Sequence, residues 1–121
     1  MAATGPSFIS LQVRDLDRAA AFYERYLGLG RQPGPPHAVV FATEPVAFAV
    51  REPLPGVDLD SVPQPGAGIG VWMHAPDAQQ IHDALVADGI HVASAPAEGP
   101  FGVTFTFVDP DGYHVTLHDR I

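Results

Sequence analysis

The sequence has 121 residues and a formal charge of −8, from fourteen carboxylates against six arginines. This length fits one domain. The absence of cysteine excludes disulfides and thiol chemistry, and the absence of lysine excludes a Schiff base through a side-chain amine. The acidic balance disfavours nucleic acid as a partner, and no stretch approaches the roughly 18 apolar residues that span a bilayer. We therefore expect no membrane partner, and the N-terminus lacks a signal peptide, which fits a cytoplasmic protein.

The same local pattern occurs twice along the chain. In the first copy, an alternating strand leads to Asp15 and a helical segment that stops at Gly28; in the second, Asp77 and Gly89 occupy the same places. Aspartate suits a helix N-cap, and Asp77 followed by Gln80 resembles a capping box. Glycine suits the left-handed position just past a helix end. The repeat therefore predicts two similar modules.

Apolar spacing locates the helices and strands. Positions 16, 19, 20, 23 and 27 share one helical face in the first copy, and Ala78, Ile81 and Leu85 share one in the second. Strand-like runs follow each helix: 37–42 and 46–50 in the first half, and 91–93, 103–108 and 113–118 in the second. Residues 109–112 separate the last two runs and have the composition of a tight hairpin turn.

This order of elements predicts an α+β fold of two βαβββ modules in a single domain, residues 1–121. We expect the first module at about residues 6–52 and the second at about residues 68–121. Between them, about residues 53–67, prolines and glycines are dense and predict a linking loop.

Several segments together resemble the vicinal-oxygen-chelate superfamily, which includes glyoxalase I, extradiol dioxygenases and bleomycin-resistance proteins. They are residues 11–16, Phe22-Tyr23 with Leu27-Gly28-Leu29, and residues 107–113. Residues 68–74 resemble the start of the second module in the bleomycin-resistance branch. The resemblance implies curved sheets backed by helices around a cavity. It also implies a homodimer, because many members pair.

The family's enzymes hold a divalent metal ion, and the resemblance identifies the four ligand positions in this chain. They fall on Phe8, on the strand 46–50, on Gly70 and on Thr116. None of these provides the His nitrogen or carboxylate oxygen that such an ion requires. We therefore expect no metal, no cofactor and none of the family's metal-dependent chemistry. A substitute site that uses His74 with His114 or His118 is the remaining alternative.

Strand alternation predicts which side chains face the cavity. Ile9, Leu11 and Val13 should contact the helix, whereas Ser10 and Gly70 should face the cavity. The same cavity faces provide the predicted ligand contacts: Phe8, Gln12, Trp72, His74, His114, Thr116 and His118. Phe101 is a further candidate, because the bleomycin-resistance branch often has tryptophan there. Phe41 and Phe48 are also candidates, with core packing as their alternative. Trp72, the one tryptophan, could stack on a planar ligand or simply be packed.

These residues and the resemblance predict a protein that sequesters an aromatic natural-product antibiotic of the bleomycin, mitomycin or enediyne kind. The alternative is a metal-free lyase, isomerase or cyclase that acts through His74, His114 or His118. A third possibility is an accessory protein whose apolar surface serves only dimerisation. No serine lies in a nucleophile elbow and no glycine-rich phosphate loop precedes a helix, so we assign no catalytic residue.

Overall fold

The computed structural model describes all 121 residues, which form two compact units, residues 1–61 and 62–121. Unit 1 contains β1 (Phe8–Gln12), α1 (Leu16–Leu27), β2 (Arg31–Gln32), β3 (Ala38–Phe41), β4 (Ala47–Arg51) and a 3-10 turn (Leu59–Ser61). Unit 2 contains β5 (Val71–His74), α2 (Ala78–Ala87), β6 (Val92–Gly99), β7 (Gly102–Val108) and β8 (His114–His118). This order confirms the α+β class and the two βαβββ modules. Neither helix has the length and apolar character needed to cross a membrane.

The two sheets have the same topology. Their strand orders are β1-β4-β3-β2 and β5-β8-β7-β6, and in each the first strand of the module pairs in parallel with the last. The other neighbouring strands pair antiparallel. Because the topology repeats, each position in β1 and β4 has an equivalent in β5 and β8.

Helix α1 begins and ends as its sequence predicts. The Asp15 side chain accepts a hydrogen bond from Arg18 N at 3.1 Å, and Gly28 is left-handed with φ 67°. The helix covers the sheet of unit 1 with Tyr23, which is fully buried. Phe22, which the predicted apolar face omits, is also buried and contacts Tyr23 edge-on at 5.3 Å between ring centroids.

Helix α2 differs from its prediction at one end. Asp77 is the N-cap residue, but its φ of −102° and ψ of 32° lie outside the extended region, and its side chain makes no capping hydrogen bond. The predicted capping box is therefore wrong, because the backbone of Asp77 does not adopt the conformation that aims a cap oxygen at the helix. Gly89 is left-handed as predicted, with φ 75°.

Two edge strands differ from the sequence prediction: β6 is longer than predicted, and β2 was not predicted. Strand β6 extends through Pro96 to Gly99, and its pairing with β7 contains two register shifts. Proline has no N–H to donate, so it is tolerated at an edge or bulge. Strand β2 has only Arg31 and Gln32, which pair with Phe41 and Val40. Nothing apolar alternates there, so the strand has no periodic signal.

Side chains hold two connecting segments in place: the hairpin turn between β7 and β8, and the linker between the modules. Asp109 Oδ1 accepts hydrogen bonds from Asp111 N at 2.9 Å and Tyr113 N at 3.0 Å, which confirms the hairpin turn. Within the predicted linker, Leu59 is buried, and Arg14 donates to Leu59 O at 2.9 Å and pairs with Asp60 at 2.6 Å. The first part of the linker is therefore held to unit 1.

Candidate functional site

Four rings gather on one face of β5 and β8 in unit 2, and we call this group the aromatic patch: Trp72, His74, Phe101 and His118. His118 lies at its centre, with its ring centroid 6.0 Å from Trp72, 5.7 Å from Phe101 and 5.6 Å from His74. Trp72 and Phe101 are 6.0 Å apart. On β8, the residue before His118 is Leu117, which is fully buried on the opposite face, as strand alternation requires.

The two largest rings of the patch are half-exposed. Trp72 has 55% of its surface accessible and Phe101 has 50%, and their planes meet at 70°. Large exposed apolar rings that touch each other mark interaction surfaces more often than isolated ones do. Because the two planes are nearly perpendicular, a flat molecule lying on one ring would meet the edge of the other, a favoured aromatic geometry.

The tautomer of His118 follows from its hydrogen bond. Nδ1 of His118 lies 2.9 Å from Arg120 O, and a carbonyl oxygen can only accept, so Nδ1 carries the hydrogen. In the neutral ring, Nε2 then has its lone pair available as a hydrogen-bond acceptor or a base. The patch therefore combines apolar ring surface with at least one polar contact point.

Phe101 is held in the patch by the turn between β6 and β7. Its carbonyl accepts a hydrogen bond from Arg120 N at 2.9 Å, and Asp119 Oδ1 accepts one from Val103 N at 2.8 Å. Gly102, next in the chain, is buried with φ 81°. This left-handed conformation favours glycine, so the turn is fixed both by its backbone and by the segment after β8.

Two other predicted contacts on β8 lie outside the patch. Thr116 is opposite Trp72 in the sheet, but its hydroxyl is hydrogen-bonded to Thr106 at 2.7 Å. His114 is exposed at the far end of β8, paired with Val108, and no ring contact joins it to the patch.

A cavity of about 470 Å³ lies within unit 1. Its wall includes Phe8 and Ser10 from β1, and Ala49 and Arg51 from β4. Gln32 of β2 completes it, together with four residues of the following loop: Pro33, Gly34, Pro35 and His37. Sequence reasoning placed Phe8 and Ser10 on this face but missed Arg51 and the loop. The signal for Arg51 was present, because the alternation of Ala47 and Ala49 continues to it.

Three predicted ligand contacts in unit 1 lie elsewhere. Phe41 and Phe48 are 0% and 3% exposed and pack against Tyr23, with centroids 6.4 and 5.0 Å from its ring. They point to the helix side of the sheet, so their assignment as ligand contacts is wrong. Gln12 shares the strand face of Ser10, but its side chain accepts a hydrogen bond from Leu54 N at 2.8 Å and does not line the cavity.

The four positions at which the family's enzymes bind metal do not fit a divalent ion here. The register equates Ala49, opposite Ser10, with Thr116, opposite Trp72, so the position within strand 46–50 is an alanine. Phe8, Gly70 and Thr116 complete the set. No group of three or more His, Cys, Asp or Glu side chains is close enough to form a site. These residues cannot supply the nitrogen and carboxylate ligands that such an ion needs.

Two βαβββ modules of identical strand order define the fold class of glyoxalase-like proteins. Residues 5–117 match the Glyoxalase/Bleomycin resistance protein/Dioxygenase superfamily model. The chain therefore belongs to that superfamily.

Solved structures with this fold include both a binding protein and enzymes. TnmS3, an antibiotic-binding protein from Streptomyces sp. CB03234, is 25% identical with a TM-score of 0.69, over 98% of this chain and 97% of that one. The fosfomycin resistance protein FosX from Listeria monocytogenes is 18% identical with a TM-score of 0.72, over 97% and 93%. Lactoylglutathione lyase from Agrobacterium tumefaciens is 21% identical with a TM-score of 0.66, over 96% and 93%. The last two likenesses show the fold alone. The comparison with curated proteins gave no match.

Proposed function

We propose that this protein binds an aromatic natural-product antibiotic on its aromatic patch and sequesters it without chemical change. The observation that carries the proposal is the contact between Trp72 and Phe101, two half-exposed rings at 6.0 Å. The similarity to the antibiotic-binding protein TnmS3 supports the same class of ligand.

The patch offers the two kinds of contact that ligand sites combine. Apolar ring surface provides most of the affinity when water leaves it, and a few polar groups fix the orientation of the ligand. His118 Nε2 and the exposed His74 ring are the polar groups here. The net charge of −8 favours a cationic ligand by faster association, so raising salt should weaken such binding slightly.

Intrinsic fluorescence tests this proposal directly, because Trp72 is the one tryptophan and lies in the patch. The protein is titrated with bleomycin, mitomycin C and an enediyne, and bound compounds are recovered and identified by mass spectrometry. The expected result is saturable quenching by at least one compound, which is recovered unchanged. If no compound in the panel binds, the proposal fails.

The tautomer of His118 favours a second candidate, a metal-free isomerase, lyase or cyclase that uses Nε2 as a base. In that case the bound compound would be recovered as a new product. His118→Gln should then abolish turnover, whereas His114→Gln, a change outside the patch, should leave it intact. Recovery of unchanged compound from the parent protein would exclude this activity for the panel.

We also propose that the protein is a homodimer. Symmetric pairing is the commonest assembly of small soluble proteins, and it would cover further apolar surface around a drug-sized ligand. The exposed apolar side chain of Ile69 supports it, because 74% of its surface is accessible. Light scattering should give twice the mass of the chain, and a monomer at micromolar concentration would contradict it.

A further inference from the structure

The cavity of unit 1 exists because small side chains form its floor. Ala47 and Ala49 alternate along β4 in its wall, and Ala38 of β3 lies there opposite Arg51. Ser10 lies beside Ala49, at the position where unit 2 has the bulky Trp72. The loop after β2 closes over one side, and there Gly34 is so near Val40 that an added Cβ would lie 3.0 Å from Cγ2.

One permanent cation faces this cavity, and it is not neutralised by the protein. Arg14, Arg31 and Arg120 pair with carboxylates at 2.6, 3.0 and 3.7 Å. Arg51 forms no ion pair, and its one side-chain hydrogen bond runs from Nε to Glu52 O at 2.9 Å. Its terminal nitrogens therefore have no acceptor within the protein, although the chain has fourteen carboxylates.

The other polar groups of the cavity are also unengaged. The side chains of Ser10, Gln32 and His37 line it and make no hydrogen bond within the protein. Around them the wall is apolar, from Phe8 at one end to Val40. The cavity thus presents one guanidinium and a few polar side chains beside an apolar surface.

We propose that the unit 1 cavity binds a small carboxylate with an apolar body. The guanidinium of Arg51 would hold the carboxylate with two parallel hydrogen bonds, and Phe8 and Val40 would contact the body. A single cation in a chain of net charge −8 matches one negative charge better than the two of a phosphate monoester. The residues that carry this proposal all lie in unit 1.

The test compares three probes of the same size: 2-naphthoate, its uncharged amide 2-naphthamide, and 2-naphthyl phosphate. Each is titrated into the isotope-labelled protein, and NMR follows the backbone amides of β1, β4 and β5 and the Nε–H of Arg51. We expect 2-naphthoate to shift signals of β1 and β4 and to bind about tenfold or more tightly than the amide. The phosphate should bind more weakly than the carboxylate.

Two matched variants assign the effect to the guanidinium. Arg51→Gln should weaken 2-naphthoate binding by about tenfold or more, whereas Arg18→Gln removes the same charge from the exposed surface of α1 and should leave it unchanged. Ala47→Phe, which fills the floor, should abolish binding while the protein stays folded. The proposal is overturned if carboxylate and amide bind equally, if the two arginine variants bind alike, or if only β5 signals shift. Tighter binding of the phosphate would overturn the choice of carboxylate.

Discussion

Arg51 in β4 and His118 in β8 occupy equivalent positions in the two modules. The carbonyl of Arg51 accepts a hydrogen bond from Val13 N at 2.8 Å, and the carbonyl of His118 accepts one from Ala75 N at 2.8 Å. Each residue also pairs with the last residue of the first strand of its own module. The repeated fold therefore presents a cation on one sheet and an imidazole among rings on the other.

A second equivalence explains the different shapes of the two faces. Ser10 and Trp72 both lie two residues before the end of the first strand of their module, opposite Ala49 and Thr116. Ser10 and Ala49 are small and leave a cavity in unit 1, whereas the indole of Trp72 occupies the corresponding place in unit 2. Side-chain size on one repeated backbone thus gives a cavity in one unit and a surface of rings in the other.

Removing either large ring of the aromatic patch should weaken binding of the antibiotic. Trp72→Ala and Phe101→Ala should each cost about 2 kcal/mol or more, which is roughly thirtyfold in affinity, because each ring is a central contact. Calorimetry with the compound that quenches fluorescence measures the change. Val86→Ala on α2 is the control, because Val86 is 52% exposed and apolar but outside the patch. Parent-like affinity in both folded ring variants would show that the ligand binds elsewhere.

Truncating Phe48 should destabilise the fold. Its ring is 3% exposed and contacts both Tyr23 and Phe41, so Phe48→Ala should cost about 3–5 kcal/mol of unfolding free energy. Phe8→Ala, at a position 65% exposed on the same sheet, should change stability by less than about 0.5 kcal/mol. Urea denaturation checks both. Equal effects of the two variants would contradict the assignment of Phe48 to the core.

Gly102 should not tolerate a side chain. Its φ of 81° is left-handed, and a Cβ there would collide with Asp119 Oδ1, the atom that accepts from Val103 N. Gly102→Ala should therefore cost about 1–3 kcal/mol of stability and reduce ligand affinity by displacing Phe101. Gly99→Ala is the matched control, because nothing lies within 4 Å of its Cβ position and its φ is not positive. Thermal unfolding and calorimetry measure the two effects.

The ion pair between α1 and β2 should contribute to stability at neutral pH and lose its contribution in acid. Arg31 donates from Nε and Nη2 to the two oxygens of Glu24, each at 3.0 Å, and these bonds hold the pKa of Glu24 below its usual 4.5. A carboxylate whose pKa is lower in the folded state stabilises that state at pH values above its unfolded pKa. The contribution disappears as the pH falls through the folded pKa.

Glu24→Gln should therefore be less stable than the parent at neutral pH, and the difference should close as acid protonates Glu24. Denaturation midpoints across this range provide the measurement. Glu44→Gln, at an exposed carboxylate without an ion pair, is the control and should follow the parent throughout. A Glu24→Gln difference that persists in acid would exclude this linkage.

We expect the purified protein to contain no tightly bound divalent metal. The reason is the donor set at the four family positions, where phenylalanine, alanine, glycine and threonine cannot ligate one. Elemental analysis of protein purified without chelators should find far less than one equivalent of zinc, nickel, iron or manganese. About one equivalent per chain would contradict this, and His74→Ala would then test whether the ion binds in the patch.

The sequence alone determined the repeat, the fold class and most elements, because each rests on local physics. Asp15 and Gly28 delimit α1 through caps, and the alternation in β7 and β8 fixed their buried faces with no knowledge of the partner strands. The four rings of the patch could also be predicted, since three lie on the outward face of a strand by alternation and Phe101 lies in a turn. Strand β2 and the extension of β6 could not be predicted, because the pairing of an edge strand leaves no periodic pattern in the sequence.

Tertiary structure alone decided which candidates share a site. Alternation fixes the face of a side chain but not its neighbours, so the sequence could not separate His118, at the centre of the patch, from His114, outside it. Nor could it separate Phe48 in the core from Phe8 at the cavity, because both are phenylalanines on adjacent strands. The cavity beside Arg51 needs four strands and a loop at once, and only the folded register brings them together.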